Sequence, residues 1–190
     1  TAVILSDEKL LIPMINSLAK NVKDVNVTMG FPYKYSSSSS LFSLLLQIHS
    51  KKQKTFYYKN VFSILSHELI KPVMNKDIDI CMLIKRDNMV YISKDDLIGL
   101  DEKNSDLYDI IFSKWINAEH GILSCLNLIE ILKNYYSKNQ LSDEMNIELL
   151  HSSYKIFNQI LLFKDQYKAI KSIKSLKAMY KEIVEMNTIP

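Results

Sequence analysis

A chain of 190 residues, 47% hydrophobic and 24% charged, can bury a core without disulfides or metal staples. Its three glycines and four prolines exclude collagen-like, Gly-rich and Pro-rich linker classes. Twenty-four Lys and Arg against 21 Asp and Glu leave a net charge of +3, too small to imply a nucleic-acid partner by itself.

The chain lacks an initiator Met and opens on an apolar, β-branched run, Ala2 to Leu5, which predicts a buried strand at the start of a piece of a longer chain. It has neither the basic region nor the cleavage site of a signal peptide. Ser6 or Asp7 is positioned to cap a helix carrying Leu10, Leu11, Met14, Ile15 and Leu18, with Pro13 early enough to be tolerated. Val25 to Met29 alternates apolar and polar residues and predicts a second strand. Strand, helix, strand over this length predicts a parallel βαβ unit, with ligands expected beyond Ser6-Asp7 and Gly30 to Tyr33. Gly30 to Ser40, including five consecutive serines, reads as a loop, and Ser39 or Ser40 would cap a helix over Leu41 to His49.

A polar break at Lys51 to Lys54 precedes a helical stripe within Thr55 to Ile70. Further helices are predicted over 78–86, from Ser93 with a capping box, and over 105–115, 122–137, 143–164 and 169–186. Met89 to Ile92 alone offers a strand there. The expected fold class is therefore α/β but α-rich: a short parallel βαβ unit over residues 1–70, then a helical bundle over 71–190.

Chemistry-bearing motifs are sparse. Gly30, Gly99 and Gly121 stand too far apart to build a phosphate-cradling loop. Arg86 is the only arginine, so bidentate guanidinium contacts are confined to one position. Cys81 and Cys125 read as buried thiols in a reducing cytoplasm. His49, His67, His120 and His151 show no metal-binding spacing, and Asp77, Asp79, Asp95 and Asp96 read as caps and solvated faces. No apolar run reaches the length of a membrane span.

Three features bear on an anionic partner. Lys164, Lys168, Lys171, Lys174, Lys177 and Lys181 recur every three or four residues, as one stripe along a helix opposite Ile170, Ile173, Leu176, Met179, Tyr180 and Ile183. The stripe reads either as a track for phosphates or as the solvated face of an amphipathic helix. Lys51, Lys52 and Lys54 beside Phe56, Tyr57 and Tyr58 read either as a base-stacking, backbone-holding site or as a charged turn before core aromatics. The serine run offers hydroxyls and backbone N–H groups to a phosphate, or else forms a capped linker.

The order of segments carries a resemblance. The run Thr1-Ala2-Val3-Ile4-Leu5-Ser6-Asp7-Glu8, a helix ending in Leu18, and Val25-Asn26-Val27-Thr28-Met29-Gly30-Phe31-Pro32 resemble the start of the second RecA-like domain of superfamily I helicases. The closer likeness is to the degenerate helicase region of AddB/RecB-like helicase–nucleases, the PD-(D/E)XK nuclease or exonuclease proteins of Bacteroidetes type, through the Ser-capped helix and Phe56 to Ile70 as well. The tail from Tyr180 to Pro190 resembles the stretch before that family's next helicase-like motif. The likeness covers about the first seventy residues and, weakly, the tail.

The resemblance implies an edge of P-loop-NTPase type followed by a helical insertion, inside a cytoplasmic protein of DNA repair and recombination. It implies no catalytic residue and no cofactor in this chain, since the ATP loop, metal motif and nuclease residues belong to other parts of the parent, which would use Mg and ATP. Implied partners are DNA, the parent's remaining domains and a helicase–nuclease partner subunit, with no membrane. The nine lysines of the two clusters are the expected DNA contacts. The alternative expectation is a helical protein–protein interaction module with no nucleic-acid role.

Overall fold

The computed structural model describes residues 3–7, 10–18, 31–51, 53–74, 78–138, 144–167 and 170–189. Helix-rich as expected, it contains α1 (Leu11–Ser17), α2 (Ser37–His49), α3 (Tyr58–Leu65), α4 (Ile80–Arg86), α5 (Lys94–Leu100), α6 (Ser105–Phe112), α7 (Ala118–Lys138), α8 (Glu144–Tyr167) and α9 (Ile173–Met186). Four short strands, β1 (Phe31–Pro32), β2 (Thr55–Tyr57), β3 (Tyr91–Ser93) and β4 (Thr188–Ile189), form two antiparallel pairs, β1 with β4 and β2 with β3.

α2 is the central element. Leu41, Phe42, Leu45, Leu46, Ile48 and His49 are all buried, a width of apolar surface that a helix acquires only when covered on several sides. α8 and α9 cover it on one side and α3 on another. Phe42 meets Phe157 of α8 edge to face at 5.1 Å, and Phe157 stacks on Tyr180 of α9 at 5.2 Å. Full burial of each such ring is worth about 2–3 kcal/mol. α7 and α8 form an antiparallel hairpin, with Glu119 near the start of α7 holding Lys164 near the end of α8 at 2.8 Å.

Phe31–Pro32 pairs with Thr188–Ile189, and the Tyr33 N–H donates to the Asn187 carbonyl at 3.0 Å. The chain therefore enters and leaves the helical body through neighbouring strands.

Several expectations change. Val3 to Leu5 is not a strand: Val3 and Ile4 are exposed, and among the described residues no strand pairs with this run. The second expected strand, Val25 to Met29, lies outside the described residues, as do Gly30, Lys52, Asp77 and Lys168. The parallel βαβ unit is thus not seen, and both sheets among the described residues are antiparallel. The first helix forms, but Leu10 holds its N-cap position and no side chain caps it. Pro13 sits in the first turn, where its missing N–H has no intrahelical partner to lose.

The serine run is helix rather than linker. Ser36 keeps extended backbone and its Oγ accepts the Ser39 N–H at 3.1 Å, so the helix begins at Ser37, two or three residues before the expected cap. Ser36, Ser38 and Ser39 are buried, because small hydroxyls fit where the helix start meets Tyr33 and α8. Ser38 starts a chain of hydroxyls: its Oγ–H donates to Tyr33 Oη (3.3 Å), Tyr33 Oη–H to Ser153 Oγ (2.7 Å), and Ser153 Oγ–H to the Leu149 carbonyl (2.9 Å).

The core also runs on across residue 70, where sequence placed a boundary. α2 packs on α8 and α9, β2 pairs with β3, and the Tyr136 hydroxyl of α7 donates to the Leu69 carbonyl at 3.1 Å.

Candidate nucleic-acid interface

Thr55–Tyr57 is strand rather than the first turn of a helix because it has a partner that the sequence only hinted at. The register is Thr55 with Ser93, Phe56 with Ile92 and Tyr57 with Tyr91. Alternation then does the rest. Phe56 and Ile92 point into the core, and Thr55, Tyr57 and Tyr91 point away from it. Phe56 lies edge to face against His49 and Phe112, both at 5.3 Å.

The outward rings form a row. Tyr91 and Tyr57 are 6.0 Å apart, Tyr57 and Tyr58 4.8 Å, and Tyr58 and Phe62 5.4 Å. Tyr91 is 62% exposed and Tyr57 36%, while Tyr58 and Phe62 are half-buried. The Lys85 ammonium lies 5.3 Å from the Phe62 centroid. At this end of the row Phe62 and Lys85 line a pocket of about 470 Å³ with Leu65, Lys71, Met74 and Cys81. Burial pushes the Cys81 thiol up, so it stays protonated and unreactive near neutral pH.

The two lysine groups fare differently. Lys51 and Lys54 are exposed on the approach to β2, and Lys59 is exposed in the first turn of α3. Of the expected aromatic partners, Phe56 is core and only Tyr57 and Tyr58 face outward. The single stripe from Lys164 to Lys181 breaks into two elements, because α8 ends at Tyr167 and α9 starts at Ile173 behind a Ser172 cap. Lys164 belongs to α8 and is engaged with Glu119, and Lys171 precedes α9. Lys174, Lys177 and Lys181 share α9 opposite buried Ile173, Leu176, Tyr180 and Ile183, and Lys181 has Glu185 3.9 Å away.

Tyr91, Phe62 and Lys85 were missed as site candidates. The signal for Tyr91 lay in its strand-forming neighbourhood, Val90-Tyr91-Ile92, and its pairing with Tyr57 is not readable without the register.

One arrangement has the outline of a nucleophile and base. Ser40 Oγ lies 2.9 Å from His67 Nε2. The Leu69 N–H, however, donates to Nδ1 at 3.2 Å, which leaves the ring proton on Nε2. Ser40 in turn donates to the Ser37 carbonyl at 2.8 Å. His67 therefore donates to the serine and cannot deprotonate it, so the pair is structural. His49 is buried, and its Nε2–H donates to the Ile111 carbonyl at 2.8 Å. Among the described residues no three His, Cys, Asp or Glu side chains gather as a metal site, and no helix is long and apolar enough to cross a membrane.

Compared with protein-family models, curated proteins and solved structures, the chain matches none.

Proposed function

We propose that this chain is a non-catalytic internal region of a DNA end-processing exonuclease or helicase-like protein of AddB/RecB type, working in cytoplasmic DNA repair and recombination. The pairing of Phe31–Pro32 with Thr188–Ile189 carries the reading. A helical arm inserted into an α/β domain must leave and return at one place, and this body does so. Held at that point, it turns its outward cations to DNA: Lys174, Lys177 and Lys181 on α9, and Lys51 and Lys54 before β2. Lys52 and Lys168 complete the two clusters in sequence, and Lys164 and Lys171 flank the α9 set. The sequence holds no phosphate-cradling loop, and in this reading Mg and ATP belong to other parts of the parent protein. The remaining domains of that parent, and a helicase–nuclease partner subunit, would be its protein partners.

The test is an electrophoretic shift of duplex and single-stranded DNA across a salt series. Binding that weakens steeply with salt, and a shallower slope for a Lys174→Gln, Lys177→Gln, Lys181→Gln variant, is the expected result. No shift of either form at the lowest salt sinks the reading. A second reading, a helical module that docks a protein and touches no nucleic acid, draws on the break in the lysine stripe and on exposed Ile116, Leu162 and Met186. It predicts no shift at any salt.

A further inference from the structure

We propose that the ring row Tyr91, Tyr57, Tyr58 and Phe62 is a stacking platform for the unpaired bases of single-stranded DNA, with Lys54, Lys59 and Lys85 serving the phosphates. The inference rests on the DNA-contact reading above and narrows it to one strand form and one surface.

Exposure comes first. The ribbon that buries Phe56 and Ile92 carries Tyr57 and Tyr91 in register on its other face, where their mutual contact still leaves both rings exposed. The row continues onto α3 through Tyr58 and Phe62, each ring centroid 4.8–6.0 Å from the next and each plane turned 53–84° from its neighbour's, so the rings offer separate faces to successive bases. Every base has a flat π-face, so such a row accepts a strand without reading its sequence, provided the bases are not already paired.

Charge decides which flat ligand belongs there. Lys85 is exposed and its ammonium lies over Phe62, Lys71 stands with it at the adjoining pocket, and exposed Lys54 and Lys59 flank Thr55–Tyr58 in sequence. Asp79, which lines the pocket with Lys85, accepts the Met82 N–H at 3.0 Å, and four further carboxylates are bonded or paired. Asp96 accepts the Ser93 N–H at 2.8 Å, Asp87 pairs with Arg86 at 2.7 Å, Asp109 pairs with Lys94 at 2.7 Å, and Asp95 lies 3.9 Å from Lys94. A cationic ligand, which an aromatic cage would otherwise suit, is repelled by these lysines. An anionic polymer carrying flat groups satisfies both halves of the surface.

The experiment titrates the whole chain against a labelled oligo-dT of about 15 nucleotides and against a duplex, following anisotropy at low and raised salt. Tyr91→Ala and Tyr57→Ala each weaken oligo-dT binding by about 5- to 150-fold and leave duplex binding nearly unchanged. Tyr91→Phe binds like the parent chain, because the ring face does the stacking and the hydroxyl does not. Both rings are exposed, so unchanged circular dichroism and melting temperature certify the folds of the variants. Oligo-dT binding that survives both alanine substitutions overturns the platform and leaves the DNA-contact reading standing. A chain that binds neither oligonucleotide at low salt overturns both.

Discussion

Lowering the pH through the histidine range removes stability from this fold at one identifiable ring. His49 closes α2 and is only 6% exposed, stacked on Trp115 at 3.9 Å with 11° between planes and set edge to face against Phe56. Its Nε2–H is spent on the Ile111 carbonyl, so a second proton would have to enter Nδ1 inside an aromatic cluster. Desolvation therefore pushes its pKa down to about 4. The Ile111 bond works weakly the other way, and the charge of His120 adds to the depression. In the unfolded chain the same ring titrates near 6.5. Above 6.5 neither state binds the proton and stability is unaffected. Between 6.5 and about 4 the unfolded state binds it and the folded state does not, so stability falls as pH falls. The full loss, complete below about 4, is about 3 kcal/mol, a large share of the 5–15 kcal/mol that holds a typical domain. Half-buried His67, also depressed by desolvation, acts with the same sign. The assay is urea unfolding at several pH values between about 7.5 and about 4.5, which covers the unfolded-state titration and most of the gap down to the folded one, for the parent chain and for His49→Gln. Glutamine keeps an N–H donor near the Nε2 position and does not titrate. Its absolute stability drops through lost stacking, but its acid limb is shallower by most of that 3 kcal/mol, and carboxylate contributions cancel between the two proteins. Equal acid limbs, or a His49 imidazole resonance titrating near 6.5 in the folded parent, overturn this account.

Two glycines provide opposite tests. A Cβ on Gly121 would stand 3.0 Å from Ile173 Cδ1 and Trp115 Cε3 and 3.1 Å from Leu176 Cδ2. The Trp115 ring is pinned by His49, so Gly121→Ala lowers unfolding free energy by about 1–2 kcal/mol despite its better helix propensity. Gly99 lies in α5 with open space at its Cβ, and Gly99→Ala raises stability by about 0.5–1 kcal/mol; a thermal melt of both variants reads the two signs. In the buried hydroxyl chain, Tyr33→Phe costs about 1 kcal/mol or less, because Ser38 and Ser153 both keep the Leu149 carbonyl as acceptor. Ser153→Ala costs more, about 1–3 kcal/mol, because the Tyr33 proton then loses its 2.7 Å acceptor; urea midpoints that reverse this order contradict the proton assignment.

How much was legible depended on the range of the interaction that fixes each element. The capping box of Ser93 and Asp96 is written within four residues, and it forms as read, with reciprocal bonds of 3.1 and 2.8 Å. The long amphipathic helices α7, α8 and α9 follow the 3.6-residue period, and their ends were placed within four residues. The serine run differs because serine propensity argues for a cap or linker, while its burial against α8 is a contact across more than a hundred positions. The lysine stripe failed for the opposite reason: the period persisted through the sequence, but Ser172 with Ser175 caps a new helix inside it. At the candidate interface, the mixture of cation and ring around residues 51–58 was legible. Tyr91 was not, because only the cross-strand register brings it to Tyr57.

That register also ties the interface to the core. Tyr57 faces outward only while its neighbour Phe56 faces inward, and Phe56 is held by His49 and Phe112. Phe56→Leu keeps an apolar side chain of similar reach but removes both ring contacts, for a loss of about 1–2 kcal/mol in urea unfolding. If Phe56 is what aims the strand, the same variant weakens oligo-dT binding while the overall helical signal stays constant, and a saturating excess of oligo-dT restores part of the lost stability by mass action. Full stability loss with unaltered affinity for oligo-dT would separate the two faces of the ribbon and show that the outward rings hold their places without the inward one.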